Sequence, residues 1–115
     1  MPRRPRVERL QKRADFERVY REGRRVRHPI ATIIALRRPD GALRFAVVAG
    51  RRLGGAVVRN RLRRRIRETG RTLLAEKAGW DLIVLPTPGA LRTSPAELRA
   101  GLGGLLRQLG VLTAE

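Results

Sequence analysis

Apolar residues recur along this chain in two rhythms, and each rhythm predicts one kind of element. In 13–22 (RADFERVYRE), Phe16, Val19 and Tyr20 fall at i, i+3 and i+4, which places them on one face of a helix. Gly23 follows in the position of a glycine past the helix end. The basic segment GRRVRHP predicts a short strand before the break at His28 and Pro29. Ile30–Arg37 (IATIIALR) is rich in β-branched residues and predicts a strand. Ile30, Thr32, Ile34 and Leu36 then point one way, and Ala31, Ile33, Ala35 and Arg37 the other. Pro39, Asp40 and Gly41 carry tight-turn chemistry, and Leu43–Ala49 (LRFAVVA) is the return strand. Residues 30–49 are therefore expected to form a β-hairpin.

The second half alternates strand and helix. Gly50–Gly55 (GRRLGG) is a basic, glycine-rich loop leading into a helix expected from about Ala56 to about Glu76, with Gly70 as its weak point. At about 100° per residue, Val58, Leu62, Ile66, Thr69 and Leu73 fall within an arc of about 80° and are expected to face a sheet. Asp81–Leu85 (DLIVL) reads as a strand stopped by PTPG. Ser94, Pro95 and Glu97 predict a capped helix start, and Leu98, Leu102, Leu105, Leu106 and Leu109 form the apolar stripe behind it, ended by Gly110. The order is helix, two or three strands, helix, strand, helix, without repeats or a linker. A strand–helix–strand unit spans about 42–85, and the general rule for a parallel crossover makes it right-handed.

Charge changes this picture more than composition does. The chain has 115 residues, enough for one domain over 1–115, with 42% apolar. Lys and Arg number 27 against 10 Asp and Glu, a net charge of +17. A compact chain of that charge repels itself, and a polyanionic partner relieves the repulsion. No run of about 18 apolar residues is present to span a bilayer. The N-terminus MPRRPRVERL lacks the apolar core of a secretory signal, and 1–6 is expected as a flexible basic arm. The absence of cysteine fits a cytoplasmic protein and removes thiolate metal sites. Lys12 and Lys77 are the only lysines; arginine grips phosphate bidentately and stacks on bases.

The arginines concentrate in 57–68 (VVRNRLRRRIRE), where six of the residues are arginine and only the last is acidic. Arg59, Arg63 and Arg67 stack at i, i+4 and i+8, a spacing at which like charges destabilise a helix. Arg59 and Arg61 also lie at the helix start, where the open N–H groups are already partly positive. An anion reverses the sign of both effects, because the N–H groups and guanidinium forks then point at a phosphate. Asn60, between two arginines, suits a helix cap or a bond to a base or ribose.

These residues also resemble a family. RNRLRRRIRE is similar to the pattern R-N-R-x-K-R-x-x-R-E of the bacterial ribonuclease P protein subunit: Arg59, Asn60, Arg61, Arg64, Arg67 and Glu68 match, and Arg63 replaces the usual lysine. The preceding GRRLGGAVV resembles the family's S-K-K-x-G-x-A-V, with Gly50 for serine and Arg51 and Arg52 for the lysine pair. Upstream, Arg9, Leu10, Asp15, Phe16, Val19, Tyr20 and Gly23 fit R-L-x-x-x-x-D-F-x-x-V-[FY]-x-x-G, so the resemblance covers roughly residues 9–107.

The resemblance implies an α+β fold, αβββαβα, as a two-layer sandwich on a mostly antiparallel sheet with a left-handed β-α-β crossover. It implies a chain that binds a catalytic RNA subunit and the 5′ leader of precursor tRNA. In that family the RNA and its Mg²⁺ remove the leader, and the protein supplies no catalytic residue and no metal ligand. Carried over, Arg51, Arg52, Arg59, Asn60, Arg61, Arg63, Arg64 and Arg67 are the RNA contacts, and Arg9, Arg13, Phe16 and Tyr20 the leader cleft. No membrane and no obligate protein partner is implied. Thr87 departs from the family, which commonly has a basic residue there, and strand 30–37 has no aromatic.

Three other readings remain open to the residues alone. A ribosomal or RNA-chaperone protein shares the charge and element order. A self-sufficient nuclease needs clustered acids or a partnered histidine, whereas His28 stands beside a proline without a nearby carboxylate in sequence. A DNA-binding module has no helix-turn-helix spacing or zinc signature to support it.

Overall fold

In three of the strands, apolar residues are buried at consecutive positions: Ile33 to Ala35, Phe45 to Val47, and Leu82 to Val84. Successive side chains of a strand point to opposite faces, so each of these segments needs cover on both sides. The computed structural model describes residues 7–113, and the expected arm at 1–6 lies outside them. Its elements in chain order are β1 (Glu8–Arg9), α1 (Arg13–Glu22), β2 (Arg24–Arg27), β3 (Ala31–Ala42), β4 (Arg44–Val47), α2 (Ala56–Leu73), β5 (Ala78–Pro86) and α3 (Pro95–Gln108). Short 3₁₀ helices at Arg51–Leu53 and Pro88–Arg92 precede α2 and α3.

The sheet runs β1-β4-β5-β3-β2. β1, β4 and β5 are parallel, and β3 is antiparallel to β5 and to β2. The expected mostly antiparallel sheet thus resolves into a mixed one with β3 as the reversed strand. The expected hairpin over 30–49 does not form, because β5 lies between β3 and β4. An edge position for β5 would leave one side of its apolar backbone unpaired, whereas its central place pairs both. The Pro39–Gly41 segment bends the chain instead of closing a hairpin. Gly41 has φ +102°, and the β3–β5 register shifts between Arg37 and Ala42. Arg38 ties the bend from within, donating Nη1 to the Asp40 carbonyl at 2.8 Å and Nη2 to that of Ala42. β1 has no counterpart in the sequence reading; a two-residue strand carries too little pattern to be seen.

Helices cover both faces, so the expected two-layer sandwich gains a partial third layer. Ile33, Phe45, Val47, Leu82 and Val84 form one core with Leu62 and Ile66 of α2 and with the α3 leucines. On the opposite face Ile34, Ala46 and Ile83 pack with Leu10 and with Val19 of α1.

The buried stripe of α2 is Leu62, Ile66 and Gly70, at i, i+4 and i+8. Val58, expected to face the sheet, is instead 40% exposed. Gly70 is no weak point: a Cβ there would stand 2.8 Å from Phe45 Cζ, so the bare backbone seats the ring. The helix stops short of the expected Glu76, which has φ 68°, and Leu74 N–H closes it on the Gly70 carbonyl. Gly23 is extended (φ −72°, ψ 153°), not left-handed. It is glycine because a Cβ would meet the Val19 carbonyl at 2.6 Å and Ile34 Cγ2 at 2.7 Å. The start of α3 forms as its sequence predicts: Glu97 N–H donates to Ser94 Oγ and Ser94 N–H to Glu97 Oε1, each at 3.1 Å.

Candidate nucleic-acid interface

Leu62, Ile66 and Gly70 turn one side of α2 into the core, and its arginines take the remaining circumference. The helix begins at Gly55 without a side-chain cap and without an acid in its first turn, so its N–H groups stay open toward solvent. Arg51 and Arg52 stand exposed on the 3₁₀ turn ahead of it, anchored by buried Leu53. Arg61 and Arg64 are exposed; Arg59, Arg63 and Arg67 are half-buried. Asn60 is not the cap: its Oδ1 accepts from Arg63 Nη1 at 2.6 Å within the helix. The Arg59 Nε is buried and without a partner among the described residues.

Among the described residues, the ion pairs lie on α1 and the sheet, and none joins an α2 arginine to a carboxylate. Among the described residues, the cationic face is therefore left without a carboxylate partner. Arg67 registers this directly: burial, and then the charges of Arg9, Arg63 and Arg71, hold its guanidinium below the usual arginine range.

Arg9 belongs to this surface. Its register partner is Phe45, on the α2 side of the sheet, and it lines a small pocket with Phe45, Arg67 and Arg71. Arg9 also lines a second pocket with Lys12 and Asp15 at the start of α1, while Phe16 and Tyr20 sit further along that helix. Arg13, also assigned to the cleft, is exposed and paired with Glu17 at 3.0 Å. Phe16 is half-buried against the α1-side core, while Tyr20, one turn on, stays 39% exposed.

Sheet register exposes a strip that sequence reading did not single out. Arg27 faces Thr32, and Thr32 faces Leu85, on the side that carries α1. Arg27 is exposed, and Thr32 and Leu85 are half-buried. Exposed Val48 continues the strip from β4 and joins Leu85, Pro86, Pro88 and Arg52 around a basin of about 300 Å³. Strand parity was the available signal, but it needs the β2–β3–β5 neighbours to become a surface.

Beneath α1, Arg44 links Asp15 and Asp81, and Arg38 reaches the same Asp81 oxygen. These carboxylates are saturated by guanidinium, and the described residues hold no group of three or more His, Asp or Glu suited to a metal ion.

The family model for ribonuclease P matches residues 4–110. The chain belongs to the ribonuclease P protein family. The "Ribonuclease P protein component" of Symbiobacterium thermophilum is 38% identical over 109 residues, covering 93% of this chain and 95% of that one. That of Chloroflexus aurantiacus is 41% identical over 113 residues, covering 95% and 82%. The RNase P protein from Thermotoga maritima superposes with a TM-score of 0.76 at 27% identity, over 88% of this chain and 96% of that one. The Staphylococcus aureus RNase P protein shares the fold, with a TM-score of 0.77 over 91% and 97%. Family membership makes this chain a subunit of tRNA-processing ribonuclease P, an endoribonuclease. Thr87, where the ribonuclease P pattern commonly has a base, serves the fold instead: its hydroxyl donates to the Pro29 carbonyl, tying β5 to the turn before β3. No helix of the described residues is long and apolar enough to cross a membrane.

Proposed function

We propose that this subunit grips the catalytic RNA with α2 and its preceding 3₁₀ turn, and holds the 5′ leader of precursor tRNA on the opposite face of the sheet. The observation that carries the reading is the unpaired arginine face: among the described residues, Arg51, Arg52, Arg59, Arg61, Arg63, Arg64 and Arg67 meet no carboxylate. Phosphates satisfy those forks and the open N–H groups of the helix start together. Arg9 joins this RNA surface rather than the leader path.

The leader's path is the strip from Arg27 over Thr32 and Leu85 to Val48, with Phe16 and Tyr20 on α1 as its aromatic contribution, and it ends at Arg52, on the rim where the two surfaces meet. Arginine at either end suits a backbone, and the apolar floor suits unpaired bases. Mg²⁺ and the hydrolytic chemistry belong to the RNA partner. This chain's residues neutralise phosphate repulsion, fix the leader's direction and let the RNA keep its active shape with less metal.

Precursor-tRNA cleavage at low Mg²⁺, with catalytic RNA supplied alone or with this protein, tests the reading. Strong stimulation that fades as Mg²⁺ rises is the expected result. RNA binding without stimulation would place the chain among accessory RNA-binding proteins instead.

A further inference from the structure

Among the described residues Val58 and Leu91 are large apolar side chains left 40% exposed, and they share one groove. Val58, Arg61, Leu62 and Arg65 follow one another at i, i+3, i+4 and i+7 along α2 and form one wall. Leu91, on the 3₁₀ helix before α3, forms the other, and the space between them is about 180 Å³. Arg65 is fixed at the rim: its Nη2 donates to the Thr93 carbonyl at 2.8 Å. Arg61 is exposed beside it. A helix that needed only phosphate contacts would gain nothing from an apolar slot between two guanidiniums.

We infer that this groove seats one unpaired nucleobase of the catalytic RNA. The inference rests on the RNA-binding reading of α2 and adds a site to it. A base offers flat apolar faces to Val58, Leu62 and Leu91. Its flanking phosphates complement Arg61 and Arg65, whose planar groups also stack on a base edge-on to the groove. A second copy of this chain would bring its own positive charge to the same rim, and an apolar protein segment would leave both guanidiniums without an anion. Charge thus favours the nucleotide.

The test uses Leu91→Ser and Val58→Ser separately, with Leu91→Met as the conservative control, in equilibrium binding to catalytic RNA across a salt series and in chemical footprinting of RNA bases. Both serine variants alter exposed positions, and thermal melts establish that each is folded. The expected result is about ten-fold weaker binding for each serine variant, with the salt slope unchanged because phosphate contacts persist. One unpaired base is protected by the wild type and by Leu91→Met and becomes reactive with either serine variant. Wild-type affinity in both serine variants, or no base protected in the wild-type complex, overturns the groove while leaving RNA binding by α2 intact. Dimerisation of the wild type that Leu91→Ser abolishes also overturns it, in favour of a second copy. Absence of wild-type binding overturns the inference together with the reading beneath it.

Discussion

Arg44 holds Asp81 in a two-pronged grip, Nε to Oδ1 at 2.8 Å and Nη2 to Oδ2 at 2.6 Å, and Asp81 is fully buried. The same guanidinium donates Nη1 to Asp15 at 2.8 Å, so β4, β5 and α1 are tied through one side chain. Hydrogen bonding to Asp81, with its charge and that of Asp15, raises the Arg44 pKa against the cost of burial. Arg44→Ala leaves a buried carboxylate with Arg38 alone. It is expected to cost about 3–5 kcal/mol in urea unfolding. A loss under about 1 kcal/mol would mean that solvent reaches Asp81 and the tie is not structural.

Phe45 and Gly70 make a second, independent test of the fold. Gly70→Ala raises helix propensity but drives a methyl against the ring, 2.8 Å from Cζ. Overpacking is expected to win, by about 1–3 kcal/mol. Combining it with Phe45→Leu should recover part of that loss. A coupling near zero in the double-mutant cycle would show that the ring simply moves aside.

Arg59→Ala and Arg61→Ala are each expected to weaken binding to the catalytic RNA and to lower the magnitude of the log–log salt slope by roughly one. Arg13→Ala, which breaks an exposed pair with Glu17, is the internal control and should leave the slope alone. A wild-type slope in the Arg59 and Arg61 variants would remove those side chains from the phosphate contacts.

Tyr20→Ala is expected to weaken precursor tRNA more than mature tRNA in complexes already assembled with the catalytic RNA, by up to about ten-fold for one lost stacking contact. Equal losses for the two RNAs would take Tyr20 off the leader path.

Glu97 gives a pH signature. Hydrogen bonds from Ser94 hold its carboxyl below the ordinary value of 4.5 in the folded chain. Its contribution is therefore fully present above that ordinary value and is lost as pH falls through the folded one. The stability gap between wild type and Glu97→Gln should be open at pH 6 and closed under strongly acidic conditions. A gap independent of pH would indicate that the charge contributes nothing to the cap.

Local and tertiary information divide unevenly over this molecule. The helix start at Ser94 and Glu97 and the leucine stripe of α3 were legible because caps and helical period are set by neighbours in the chain. The arginine face of α2 was legible for the same reason, since residues not needed by the core stripe have only solvent or a partner to meet. The hairpin failed because turn chemistry at Pro39–Gly41 says that the chain bends, not which strand it meets afterwards. The continuous run Phe45–Val47 was the overlooked sign of an interior strand buried on both faces.

Sequence alone determined the unbalanced positive charge, the helical periods and the motif spacing that point to an RNA partner, because each is a property of adjacent residues. Only the tertiary structure decided that β5 separates β3 from β4, that Arg9 comes beside Arg67, and that Val58 meets Leu91 instead of the sheet. Those are pairings between segments far apart in the chain. They are settled by which arrangement covers both faces of the sheet at once, a condition no single stretch of residues can express.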